Sequence, residues 1–91
     1  MKQKFRKLSF VKVCDKMPPM MSHFDSGFEA IIDGTYSQIY GGDNIDSYSL
    51  FKIENGKIVN HISWYKENQL SLLEVQDRDK AEDMIEEYRF K

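Results

Sequence analysis

Apolar and polar positions alternate through most of the first 75 residues, and only after residue 76 does the spacing become that of a helix. The alternation predicts five strands. The first is expected over residues 7 to 14, KLSFVKVC, where Leu8, Phe10, Val11 and Val13 distribute over both faces. DKMPPMMSHFDSG follows, a loop by its prolines, glycine and small polar residues. The second strand is expected in FEAIIDGTYS, with Phe28, Ala30 and Ile32 on one face and Glu29, Ile31 and Asp33 on the other. Asp33-Gly34 reads as a glycine bulge within one long strand, because YGGDN is the stronger break. SYSLFKIE, residues 47 to 54, is the third strand, and Asn55-Gly56 is a strong hairpin signal. KIVNHISWY returns as the fourth, with Ile58, Ile62 and Trp64 on one side and Val59, His61 and Tyr65 on the other. LSLLEV is the fifth. In DRDKAEDMIEEYRFK, Ala81, Met84, Ile85 and Tyr88 form one helical stripe, and Asp79 with Glu82 reads as a capping box.

Between the fourth and fifth strands lie only the four polar residues KENQ. A single 3₁₀ turn fits so short a connector. Five short strands, a tight hairpin and this turn are the pattern of a small barrel. The strand order over residues 7 to 75 resembles small SH3-like barrels of the Tudor and KOW kind. MSHF (21 to 24), DGTYSQIYGG (33 to 42) and SWYKENQLSLL (63 to 73) look like segments of short uncharacterised proteins of bacteria and their phages. The resemblance implies a mainly β fold, a five-stranded SH3-like barrel with a C-terminal α-helix, and a bacterial or phage setting. No acidic run follows the first strand, unlike a peptide-binding SH3 domain. The expected organisation is one domain over 1–91, with the barrel at about 7–75 and the helix at about 79–90.

Ninety-one residues allow a single core. Hydrophobic residues at 41% place the chain among folded globular domains, and aromatics at 13% help so small a core bury enough surface. No apolar run approaches the length of a membrane helix, and the basic start leads into alternating residues rather than a signal-peptide core, so a cytoplasmic location is expected. The one cysteine, Cys14, excludes an internal disulfide and suits a reducing compartment; it reads as a half-buried strand thiol. The net charge of −2 gives no global basic field for nucleic acid, although Lys2, Lys4, Arg6 and Lys7 make a local basic end.

Candidate chemistry is sparse. His23, His61 and Cys14 come from three separate segments and lack the paired spacing of a zinc site, so neither a metal nor another cofactor is expected. Asp43 and Asp46 lack the alternating oxygen ligands of a calcium loop. Ser22 and His23 are neighbours that point apart, without a strained nucleophile turn, and YGGDN has no phosphate-loop lysine. These features weigh against an enzyme. They favour a non-enzymatic binding module, an accessory or inhibitory protein acting by protein–protein contact. The binding face is expected at Met20, Met21, His23, Phe24, Tyr40 and Asp43, where flexible methionines and loop aromatics offer adaptable apolar surface. The competing reading makes Met20, Met21 and Phe24 a plug for the barrel mouth. Two other classes stand beside protein binding. One is nucleic-acid binding by stacking on Tyr36, Tyr40 and Trp64, disfavoured by a pI near 5.6. The other is small-ligand binding at an oligomer interface, with the C-terminal helix offering a homodimer contact.

Overall fold

The computed structural model describes residues 3–17, 19–21 and 24–90. Strands β1 (Phe10–Val13), β2 (Glu29–Thr35), β3 (Ser47–Glu54), β4 (Lys57–Lys66) and β5 (Leu70–Leu72) form one antiparallel sheet in the order β4-β3-β2-β1-β5. A short helix, α1 (Tyr36–Tyr40), follows β2, and α2 (Arg78–Arg89) ends the chain. The KENQ connector forms the expected 3₁₀ turn, Glu67–Gln69. Mainly β architecture with a C-terminal helix is therefore as the pattern predicts. Closure is not: among the described residues no ladder joins β4 to β5, so the sheet is open rather than a closed barrel.

Both faces of the sheet are covered, which explains why β1 is apolar on both sides. Val11, Val13, Ala30, Ile32, Tyr48, Leu50 and Tyr65 pack on one face with Phe5, Met17 and Phe28. Phe10, Ile31, Phe51 and Ile58 pack on the other, under Ala81, Met84 and Ile85 of α2. The helical stripe read from the sequence is thus the one buried, with Tyr88 half-buried at its end. Cys14 is half-buried, its thiol 3.3 Å from the Lys16 carbonyl.

Three bulges set which side chains meet. In β2 the register passes from Ile32 opposite Leu50 to Gly34 opposite Ser49, so Asp33 is the extra residue of the expected bulge. β4 has two more, at Val59 and at Ser63-Trp64. They overturn simple alternation along β4. Ile58 and His61 turn toward α2, while Ile62 and Tyr65 join the opposite core. Strand lengths also shift: β1 and β5 are shorter than their apolar runs, and β2 stops at Thr35 where a helix begins.

The cap of α2 lies two residues before the one expected. The Asp77 carboxylate accepts from the Lys80 N–H at 3.0 Å, leaving Asp79 as a first-turn acid only. Asp77→Ala should therefore lower stability by about 1 kcal/mol, as loss of a cap does, and Asp79→Ala by about 0.5 kcal/mol or less. Urea unfolding of the two variants side by side checks the assignment.

Candidate functional site

Because the strands are antiparallel, the start of β1, the end of β2, the start of β3 and the ends of β4 and β5 lie at one end of the sheet. The most distinctive surface of the molecule sits there. It begins with Thr35, whose hydroxyl accepts from the Gln38 N–H at 3.1 Å while Gln38 Oε1 accepts from the Thr35 N–H at 2.9 Å. This reciprocal cap stops β2 and starts α1. Gly41, at φ 87°, closes the helix by donating to the Ser37 carbonyl. The following loop is tied back, since Ser37 N–H donates to the Asn44 carbonyl at 2.8 Å and Ser37 Oγ donates to the Gly42 carbonyl at 2.6 Å.

A helix this short would not hold by propensity alone. Its two caps and tied loop make it a rigid mount for Tyr36 and Tyr40, one turn apart on the same face. Trp64, displaced by the second β4 bulge, completes the group. Ring centroids are 5.1 Å apart for Tyr36–Tyr40 and for Tyr36–Trp64, and 6.0 Å for Tyr40–Trp64. Tyr40 is 70% exposed, Tyr36 and Ile39 are also exposed, and Trp64 is half-buried. The three rings pack on one another, so they form a continuous apolar surface and leave no slot between them.

The residues expected at the binding face divide. Tyr40 stands in the ring cluster and Asp43 is exposed in the adjoining loop. Met20 is 91% exposed on a 3₁₀ turn, Pro19–Met21. Phe24 is half-buried against the core, edge-on to Tyr65 at 5.5 Å. Tyr48, near the start of β3 at this end of the sheet, is fully buried within the core. The Met21 side chain and all of His23 lie outside the described residues. The segment after Phe24 is clamped: Lys52 holds the Asp25 carboxylate at 2.9 Å, and the Tyr65 hydroxyl donates to the Asp25 carbonyl at 2.9 Å. The bond to Asp25 holds the Lys52 ammonium above the usual lysine range, and burial pushes the Tyr65 phenol up to about 12. Both groups keep their protons, as clamps must.

A serine, a histidine and an aspartate do meet elsewhere. Ser49 Oγ lies 2.7 Å and Asp33 Oδ2 2.9 Å from His61, but both approach the same nitrogen, Nε2. A nucleophilic relay requires serine and aspartate on opposite ring nitrogens. The imidazole is instead stacked on Phe51 at 4.7 Å, a support for the α2 face of the sheet. The trio arises because the β2 bulge turns Asp33 toward β4, a contact that strand alternation does not reveal. A groove of about 570 Å³ runs between the β3–β4 turn and the start of α2, over Phe10, Ile53, Leu73 and Met84. A single chain thus has a groove of ligand size without an oligomer interface. No helix of the described residues is long and apolar enough to cross a membrane. Comparison of the chain with protein-family models, curated proteins and solved structures gives no match.

Proposed function

We propose that this protein is a non-enzymatic binding module that takes a protein partner on the Tyr36–Tyr40–Trp64 surface. One observation carries the reading: Tyr36 and Tyr40 stand exposed on a rigidly capped mount, with half-buried Trp64 of β4 packed beside them. Exposed aromatic groups of this kind supply the anchors of protein interfaces. Their mutual contact favours a broad apolar partner surface over a small guest held between rings. The strand order, the 3₁₀ turn between β4 and β5 and the terminal helix support kinship with SH3-like barrels in an opened form. The resemblance to short bacterial and phage proteins supports an accessory or inhibitory role in the cytoplasm of a bacterial or phage-infected cell.

The test is a pair of variants assayed for both binding and stability, after capture and identification of the partner from host lysate. Tyr40→Ala should weaken binding by about 2 kcal/mol and leave the urea midpoint nearly unchanged, its effect staying within about 0.5 kcal/mol. Phe24→Ala should show the reverse order, with lost stability and binding reduced only through unfolding. Full binding by Tyr40→Ala would remove the ring cluster from the interface. A second reading, single-stranded nucleic acid, draws on a different observation at the same end of the sheet, where Arg6 and Lys7 precede the start of β1.

A further inference from the structure

Beside α1 the chain makes a tight turn over Arg6, Lys7, Leu8 and Ser9, closed by Ser9 N–H donating to the Arg6 carbonyl at 3.3 Å. Leu8 sits at φ 70°, a left-handed conformation that a branched aliphatic residue adopts at a cost. Two bonds impose it. Leu8 N–H donates to the Ile32 carbonyl at 2.8 Å, and Ile32 N–H donates to the Ser9 carbonyl at 2.9 Å. The Leu8 side chain is also pinned against the α2 core. The turn therefore holds Arg6 and Lys7 beside the start of α2, where they, Arg78 and Leu72 line a pocket of about 300 Å³. Among the described residues no carboxylate lines it. Gln76 is also present, but its amide is engaged by Phe10 and Leu73.

Arg6, Lys7 and Arg78 are exposed side chains that line one pocket, and like charges that share a pocket are relieved by a bound anion. Arg6 and Lys7 have no ion-pair partner among the described residues. Among the described residues Arg78 pairs only with Glu82, at 3.8 Å along the exposed helix. The groove on the far side of Lys7 and Arg78 adds Asp33, held by His61, with Glu82 and Glu86. We propose that the Arg6–Lys7–Arg78 pocket is a binding site for a phosphate group. Phosphate fits because guanidinium forks bond its oxygens in pairs, while Lys7 supplies a point charge. The Lys7 stem also passes 3.3 Å from where a Cβ on Gly34 would stand, beside Gln38 of α1. Gln38 lies two residues from both Tyr36 and Tyr40, so Lys7 reaches the face of α1 away from the rings.

The phosphate could belong to a small phosphorylated compound or to a nucleic-acid backbone, and one titration separates them. Sodium phosphate, added against sodium chloride at equal ionic strength, should move the amide resonances of residues 6–9, 72 and 76–78. Arg78→Gln should weaken the response roughly tenfold, from the loss of a charge-assisted hydrogen bond, and Lys57→Gln should not change it. A short oligothymidylate that moves these resonances together with those of Tyr36, Tyr40 and Trp64 identifies a nucleic-acid backbone as the source. Response to inorganic phosphate alone identifies a small phosphorylated ligand. Equal responses to phosphate and chloride, or an Arg78→Gln variant as responsive as the parent, would overturn the proposal. Neither outcome bears on protein binding at Tyr40, which is read from its own variant.

Discussion

Tyr48→Ala is expected to lower stability by about 3 to 5 kcal/mol, the range for deleting a buried aromatic ring. Typical total stability is only about 5–15 kcal/mol. Tyr48 is fully buried, packs edge-on against Phe5 with centroids 5.5 Å apart, and accepts the Phe5 N–H at 3.0 Å through its hydroxyl. It thereby fastens the segment that precedes β1 onto the core. Tyr48→Phe keeps the ring and removes the acceptor, leaving a buried N–H without its partner, which costs about 1 to 3 kcal/mol. Urea unfolding measures both effects, and amide exchange at Phe5 reads the second directly. If Tyr48→Phe leaves midpoint and Phe5 exchange unchanged, the hydroxyl is not what holds this segment.

The parts of the fold that short-range rules control were legible in the sequence. Asn55-Gly56 set the hairpin, so β3 runs over the expected residues 47 to 54. The spacing of Ala81, Met84 and Ile85 set the buried face of α2. What could not be read was decided by non-local pairing. The bulge at Val59 depends on how β4 lies against β3, and it transfers Ile58 to the face opposite Ile62. Likewise, TYSQIY has the aromatic, β-branched composition of a strand, yet the Thr35–Gln38 cap and the Asn44 carbonyl turn it into a helix. Closure of the sheet depends on how far β4 and β5 diverge, which no local pattern encodes.

The same division applies to the site. Tyr36, Tyr40 and Trp64 were named together as rings able to stack, and they do meet. Loop placement selected Phe24 as an exposed anchor, but loop residues can fold inward, and this one meets Tyr65. The convergence of Arg6 and Lys7 with Arg78 went unread because 70 residues separate them. A basic start and a helix beginning with arginine each look like ordinary solubility. Only the antiparallel placement of β5 beside β1 brings the two together.

Removing α2 by ending the chain after Gln76 should abolish the fold or cause aggregation. The cut is placed to keep Gln76, whose side-chain amide pairs with both the N–H and the carbonyl of Phe10. The sheet edge is thus left intact while its cover is lost. Phe10, Ile31, Phe51 and Ile58 would then face water on one side of the sheet. Deleting a single buried aliphatic side chain costs about 2 to 5 kcal/mol, and the cut removes both Met84 and Ile85 with Ala81 and Tyr88. That sum approaches the whole stability of a small domain, and an apolar sheet face with open edges invites association. Size-exclusion chromatography with light scattering and far-ultraviolet circular dichroism on the truncated chain gives the result. A monomer with the parent's urea midpoint would mean that α2 adds little to the core, and that its stripe is available to a partner or a second copy.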